Sequence, residues 1–195
     1  MTPRQIDASH ILPIAEYAKV RGERRKRITE LKQHRRLEVG PFATFYFECY
    51  DTMLHQVHEM LFIEKGGEAQ IPDELAAYNP LIPRGAELVA TVMFEIDDPV
   101  HRARALATLG GIERSAFIRL GQDRIVGVPE ADQERSREDG KASSVQFIRF
   151  PFTPAQIAAF KGGEGDVIVG FDHRNYGHMT VMPKAVREAL SGDFS

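Results

Sequence analysis

The order of structure-forming segments most narrows the folds open to this chain of 195 residues. Helix-forming sequence comes first, from "HILPIAEYAK" to "ERRKRITELKQHRR", with an interruption predicted at Gly22. Short runs rich in β-branched and aromatic residues follow, separated by glycine and proline turns and by short helical patterns. This order predicts an α+β fold, in which N-terminal helices pack on a mostly antiparallel sheet with short helices between strands. We expect a single domain over 1–195, made of a basic helical segment (1–36) and an α+β body (37–195).

Individual strands can be placed from local patterns. "SAFIRLGQDRIVGVPE" is typical of a β-hairpin, and "DVIVGFDH" with "HMTVM" predicts a last strand pair. In "VQFIRFPF", alternation predicts a half-buried strand that buries Val145 and Phe147, with Phe150 as a third candidate, and exposes Gln146 and Arg149. These strands should form the sheet that supports the functional residues.

Composition excludes several classes of protein. The chain is 43% apolar and 27% charged with a net charge of −3, so no general attraction to nucleic acid or membrane is expected. A chain of this length buries about 70% of its unfolded surface, so folding needs no structural metal. Cys49 is the single cysteine, which predicts a reducing compartment. The N-terminus has no signal-peptide pattern and no apolar run approaches membrane-spanning length, so a cytoplasmic location without a membrane partner is expected.

The segment "YDTMLHQVHEMLFIEK" predicts an amphipathic helix with candidate metal ligands. Asp51, His55 and His58 fall near one line of the helix with Glu59 at its edge, on the face opposite the apolar stripe. Imidazole and carboxylate groups at this spacing can bind one metal ion when a second element adds ligands. The alternative, a solvated face with two ordinary histidines, is favoured for so loose a pattern.

Glu64 does not fit the polar face of this helix. It projects into the apolar stripe formed by Met53, Val57 and Met60, although its place at the helix end also lets it turn toward water or toward an arginine. A carboxylate in apolar surroundings needs a partner or has a raised pKa. A structural ion pair with an arginine is favoured over a functional acid.

A second polar group lies in "DHRNYGH". If Asp172 and His178 end paired strands, their side chains and the Tyr176 hydroxyl meet at one hairpin mouth. His173 could then be a ligand or proton carrier oriented by Asp172. The alternative is a turn in which Asp172 or Asn175 bonds its own backbone and Tyr176 packs.

Residues 19–36 hold nine Lys or Arg against two Glu, a local net charge of +7. One interpretation of such a segment is that it binds the phosphates of a nucleic acid. However, the positive charges point all around the helix and no aromatic motif accompanies them. Pairing with the acidic remainder of the chain is favoured, so nucleic acid is not the expected partner. The residues that would contact it are Arg24, Arg25, Arg27, Arg35 and Arg36.

Several segments together are similar to a bacterial family, catalogued as domain of unknown function 3501. They are "FYFECYDTMLHQVHEMLFIEK", "ELAAYNPLIPRGAELVATVMFEI", "LGGIE", "SSVQFIRF" and "GFDHRNYGH", and "AYNPLIP" followed by "ATVMFE" is the most specific. The resemblance implies a cytoplasmic bacterial protein whose gene lies near those of rubrerythrin-like and iron-sulfur proteins. The family pattern does not require histidine at His55 or His58. It therefore favours another set of candidate functional residues, namely Glu59, Glu64, Arg149, Asp172 and His173.

The leading prediction is therefore an accessory protein of an iron or redox-stress module with a rubrerythrin-like or iron-sulfur partner. A divalent metal or iron is its expected cofactor. The sequence does not decide whether the protein is an enzyme or whether it forms a homodimer. The first candidates for metal ligands are Glu59, Glu64, Asp172 and His173, and the candidates ranked below them are His55, His58 and His178. The candidate binding residues are Arg149, Tyr176, Tyr78 and Asn79.

Two other functions fit the sequence. One is a non-catalytic interaction module that docks through the proline-rich segment 72–84, and the other is nucleic-acid binding by residues 19–36. The metal hypothesis requires the helix 51–64 to meet the loop 172–178, and in particular Glu64 to face His173.

Overall fold

A computed structural model describes residues 3–130 and 141–194 of the chain. In that part, helices form where capping residues, proline or periodic apolar residues predicted them. Asp98 and Thr153 cap two of these helices through their side chains. The helices are α1 (Ile14–Gln33), α2 (Tyr50–Glu64), α3 (Ile71–Tyr78), α4 (Pro99–Ala107), α5 (Pro154–Gly162) and α6 (Lys184–Ser191).

The strands form two antiparallel sheets. The first contains, in spatial order, β1 (Arg36–Val39), β2 (Ala43–Phe47), β3 (Glu87–Phe94), β7 (Val145–Pro151) and β6 (Val128–Pro129). The second contains β5 (Asp123–Val126), β4 (Ala116–Leu120), β8 (Val167–Phe171) and β9 (Met179–Val181). Leu88 and Val92 from the first sheet share one core with Ile118 and Val169 from the second. The predicted α+β class with mostly antiparallel strands is confirmed, and the strands are divided between two packed sheets.

A helical layer covers the other face of the first sheet. Val89 of β3 and the residues Met53, Val57 and Leu61 of α2 form a second apolar cluster. Val89 alternates with Leu88 and Ala90, which point into the core between the sheets. The layer of α2 and α3 is thus separated from the inter-sheet core by the thickness of the first sheet, and α1 packs on the outside of α2.

The predicted burial of strand β7 is wrong at Val145, Gln146 and Phe147, whereas Phe150 is buried, as its candidate assignment has it. Gln146, Ile148 and Phe150 are the buried positions, whereas Phe147 and Arg149 lie on the side of the helical layer. Because both faces of the first sheet are covered, alternation of polar and apolar residues does not identify the inner face. Gln146 is 1% exposed, and its Oε1 has no hydrogen-bond partner among the described residues.

Helix α1 continues through Gly22, so the predicted interruption is also wrong. A glycine in a helix interior costs only about 1 kcal/mol relative to alanine. The surrounding Arg, Lys, Glu and Ala residues are strong helix formers, and they outweigh this cost. Within the described residues, none of the helices is both long and apolar enough to cross a membrane.

Candidate functional site

Glu59 lies between α1 and α2, where both oxygens of its carboxylate accept hydrogen bonds. Its carboxylate accepts from Arg21 Nε and Nη2, each at 2.8 Å, and from the Tyr17 hydroxyl at 2.7 Å. The hydrogen bonds from Arg21 lower the pKa of Glu59 to about 2, against the opposing effect of burial. This carboxylate is a structural anchor for α1.

The helix face that carries His55 and His58 was predicted to be solvated, but α1 covers much of it. His55 is partly exposed, with its Nδ1 3.4 Å from the Tyr17 hydroxyl. His58 is 2% exposed, and its ring stacks on Tyr17 with the centroids 4.7 Å apart. Its Nε2 accepts from the Leu12 amide at 3.0 Å, and its Nδ1 donates to the Leu54 carbonyl at 2.8 Å. Burial lowers the pKa of His58, so the ring is neutral and both nitrogens are occupied by backbone groups.

Glu64 does not lie in the apolar stripe. As the last residue of α2 it is exposed, and its Oε2 accepts from Gln70 Nε2 at 2.6 Å. The expected ion pair with an arginine is not made in the described structure. The helix ends before this side chain can be covered, which is why a projection over the whole segment misplaced it.

The 172–178 loop is a packed turn. The Tyr176 hydroxyl donates to the Val39 carbonyl and accepts from the amides of Phe42 and Ala43, which joins this loop to the β1–β2 turn. His173 Nδ1 accepts from the Asn175 amide at 3.2 Å, so Asp172 is not its orienting partner.

The other two polar residues of the loop also have separate partners. Asp172 pairs with Arg124 at 3.1 Å, and the ring of His178 packs edge-on against Tyr176 with the centroids 4.6 Å apart. The side chains of the loop therefore do not converge on one point.

The two predicted metal-ligand groups lie on opposite sides of the first sheet. Glu59 and Glu64 belong to the helical layer, whereas Tyr176 lies in the core between the sheets and His173 bonds the Gly110 carbonyl at 3.2 Å. In residues 3–130 and 141–194, no three His, Cys, Asp or Glu side chains are grouped so that they could hold a metal. The geometry that the metal hypothesis requires is therefore absent from the described residues.

The basic segment 19–36 is partly neutralised by the rest of the chain. Arg27 lies 3.6 Å from Asp51, in an exposed pair. Arg35 is 4% exposed, donates to the carbonyls of Phe47 and Glu48, and pairs with Asp193 at 2.5 Å. Arg25 is exposed and Arg24 partly exposed on α1, and Arg36 is exposed at the start of β1. The buried pair of Arg35 has no sequence signal, because its partner is 158 positions away.

A buried polar network at the start of α2 was also missed. Glu48 is 5% exposed and accepts from the hydroxyls of Thr52 at 2.6 Å and Thr91 at 2.7 Å. Cys49 follows it at the N-terminus of α2, where burial raises the pKa of its thiol, as expected for an inert cysteine. Nothing in the local sequence distinguishes this inward carboxylate from the other acidic residues.

The predicted binding residues Asn79 and Arg149 both fix the proline-rich segment. The Asn79 amide group accepts from the Ile6 amide at 2.7 Å and donates to the Ile6 carbonyl at 2.9 Å. Arg149 donates to the Pro80 carbonyl and pairs with Glu87 and, at 2.8 Å, with Glu130. Tyr78 contributes a weaker contact with Gln56 at 3.5 Å.

A groove lies between the N-terminal segment and the proline-rich segment, beside the bonds that Asn79 forms with Ile6. The groove has a volume of about 820 Å³, with residues 4–8 on one side and Leu75, Ala76, Pro80 and Arg84 on the other. Its volume is that of a site for a small molecule or a short peptide. It also runs along part of "AYNPLIP", the segment most specific to the family resemblance.

Two arginines give this groove an unpaired positive charge. Arg4 Nη1 donates to the Arg84 carbonyl, which brings the two residues together. Neither guanidinium forms an ion pair with a described carboxylate, and both residues are exposed. Asp7 also lines the groove, but its carboxylate already accepts from the Ser9 hydroxyl and amide, which lower its pKa. The groove therefore presents two arginine side chains that have no ion-pair partner within residues 3–130 and 141–194, beside the one ionised carboxylate of Asp7.

Comparison with known proteins agrees with this architecture of two antiparallel sheets and a helical layer. The sequence matches the family described as "Protein of unknown function (DUF3501)" over residues 5–194, and the chain belongs to that family. A crystal structure of a novel protein of unknown function from Burkholderia pseudomallei K96243 has the same fold, with a TM-score of 0.90. The two sequences are 34% identical, and the match covers 98% of this chain and 100% of that one. No curated protein matches.

Proposed function

We propose that the protein is a non-catalytic accessory protein that binds a partner protein through the groove between residues 4–8 and 75–84. The observation that carries the proposal is the bidentate bond between Asn79 and Ile6, which holds one wall of the groove against the other. A fixed groove binds without a further ordering cost, because its walls are already in place. This is the interaction function that the proline-rich segment 72–84 predicts.

The distribution of titratable groups supports binding over catalysis. Glu59 and His58 have shifted pKa values, but both lie between α1 and α2 with their polar atoms occupied by other protein groups. Along the described groove, Asp7 is the one carboxylate, and it caps a short helical turn. A general base needs to reach the proton that it removes, and Glu59 and His58 lie outside the groove. Asp7 lines the groove, but the hydrogen bonds from Ser9 lower its pKa and so make its carboxylate a weaker base.

The family resemblance supplies the partner to test first, a rubrerythrin-like or iron-sulfur protein of an iron or redox-stress module. A metal on this chain is not part of the proposal, because the described residues contain no suitable ligand group. The redox chemistry would belong to the partner, and this protein would serve as its accessory.

Site-specific photo-crosslinking tests the proposal. A benzophenone amino acid replaces Ala76, which is exposed on α3 in the groove, and in a matched variant replaces Ala158, which is exposed on α5. After irradiation in the native host, we expect a discrete adduct from position 76 and none of that mass from position 158. The adduct should form again from the purified partner.

The bulky substitution Ala76→Trp provides the second arm. It should block the groove and abolish co-elution with the purified partner, whereas Ala158→Trp should not. Equal crosslinking from both alanines, or unchanged co-elution of the Ala76→Trp protein, contradicts the proposal.

A further inference from the structure

The chemistry of the groove specifies the kind of segment that it accepts, and this inference rests on the proposed function. We infer that the groove binds an acidic polypeptide segment of the partner, whose side-chain carboxylates pair with Arg4 and Arg84 and whose apolar side chains pack on Leu75 and Pro80. The inference goes beyond the existence of a docking surface, because it assigns the charge and the polymer class of the ligand.

The first argument is the hydrogen-bonding capacity of the two arginines. A guanidinium group has five N–H donors and stays positively charged at all physiological pH values. Arg4 uses a donor on the Arg84 carbonyl, and no side-chain bond of Arg84 is found among the described residues. Both guanidinium groups therefore keep free N–H donors beside the groove, which an anion can accept from. A carboxylate is such an anion, and it can accept two parallel bonds from one guanidinium.

The second argument is the apolar part of the groove. Leu75 and Pro80 are partly exposed there, and Ala76 leaves room beside them. A ligand that pairs with the arginines therefore also meets a surface for apolar side chains. A polypeptide that mixes acidic and apolar residues satisfies both, whereas a simple inorganic anion uses only the arginines.

The third argument separates a polypeptide from a nucleic acid. Proteins that bind single strands stack the bases on aromatic side chains. The described lining of the groove contains no Phe, Tyr or Trp, so it offers no stacking surface. A polypeptide that pairs with the arginines through its side-chain carboxylates needs no stacking surface.

The experiment is a titration of the full chain, labelled with ¹⁵N, with an acetylated and amidated hexapeptide of alternating glutamate and leucine. The matched probe replaces every glutamate with glutamine. We expect the acidic peptide to shift the amide signals of residues 4–8 and 75–84, to bind more weakly at higher salt, and to bind at least about five-fold more tightly than the neutral peptide.

Charge reversal assigns the binding to the arginines. Arg84→Glu should weaken binding of the acidic peptide about five-fold or more, with Arg4→Glu acting in the same direction. Arg119→Glu is the control, because Arg119 is an exposed arginine of β4 in the second sheet and the change in net charge is the same. It should leave the affinity within about two-fold. Thermal unfolding of each variant verifies that the fold is retained.

Three results overturn the inference. They are equal binding of the glutamine peptide, equal weakening by Arg119→Glu, and tighter binding of a thymidine hexanucleotide that depends on Arg84. The inference fails alone if the crosslink from position 76 survives Arg84→Glu undiminished. Loss of the position-specific crosslink in the unaltered protein means that the proposed function fails as well.

Discussion

Two arginine-containing regions of this protein differ in how completely their charges are compensated. Between α1 and α2, Arg21 forms two bonds with Glu59 and lies over the ring of Phe62, 4.6 Å from its centroid. In the groove, Arg4 and Arg84 come together without a described carboxylate partner. Breaking a paired cluster leaves a charge without its partner, whereas an arginine without a described ion-pair partner keeps its donors available to a ligand. The comparison separates side chains that hold the fold from those available to a partner.

The largest expected effect comes from breaking the compensated region at Tyr17. Its ring is 1% exposed and stacks on His58, and its hydroxyl donates to Glu59. Tyr17→Ala should lower the free energy of unfolding by about 3 to 5 kcal/mol, because it leaves a cavity and removes this bond. Urea denaturation measures the change. Tyr17→Phe keeps the ring and should cost less than half as much, and equal losses would mean that the ring contributes little.

Glu59→Gln should be the next largest in effect. It removes the charge that Arg21 and Tyr17 surround, and we expect a loss of roughly 1 to 3 kcal/mol at pH 7. Because the pKa of Glu59 is lowered from 4.5 to about 2, this stability is present above pH 4.5 and is lost as the pH falls toward 2. Urea midpoints at pH 7, 4 and 2.5 should therefore converge for the two proteins. A gap that stays constant with pH would contradict the assignment.

A smaller effect should appear at mildly acidic pH through His58. Its pKa is lowered from 6.5 by burial, so the folded state favours the neutral ring and the unfolded state takes up protons first. Stability should be complete above pH 6.5 and should fall as the pH drops below it. His58→Gln should reduce the loss between pH 7.5 and 5.5, whereas His34→Gln, at an exposed histidine of the α1 end, should not. Glu59 stays ionised throughout this interval.

The smallest effect is expected in the uncompensated region. Arg84→Ala removes one of two neighbouring positive charges from an exposed position, so the free energy of unfolding should change by less than about 0.5 kcal/mol. Arg21→Ala provides the matched comparison, with a clear loss because Glu59 is left without its ion pair. If both substitutions destabilise the fold equally, the distinction between the two regions is wrong.

Local patterns predicted the strands and helices better than they predicted the environment of single residues. Hairpin turns, Asp98, Thr153 and the apolar stripe of α2 all act within a few residues, so the sequence displays them. His58 was misplaced because α1, far earlier in the chain, covers the face on which it lies. Gln146 was misplaced because two different layers cover the faces of its strand.

The candidate groove was predictable only in part. The proline-rich segment and Asn79 were identified from the sequence, but the opposite wall was not, because Ile6 is 73 positions from the residue that holds it. The convergence of Arg4 and Arg84 depends on the same long-range contact. Residues that combine across such distances leave no periodic or spacing signal in one sequence.

The contact between the β1–β2 turn and the 172–178 loop bears on aggregation at high protein concentration. The Thr180 hydroxyl of β9 donates to the Glu38 carbonyl of β1, and a Cβ on Gly40 would lie 2.6 Å from the ring of His178. The edges of the two sheets thus face each other here, and the far edge of the first sheet ends in β6, two residues long and containing Pro129. Free sheet edges nucleate aggregation by pairing with strands of other molecules. With these edges joined or shortened, the protein can expose the proposed docking groove at high concentration without offering those strands to its neighbours.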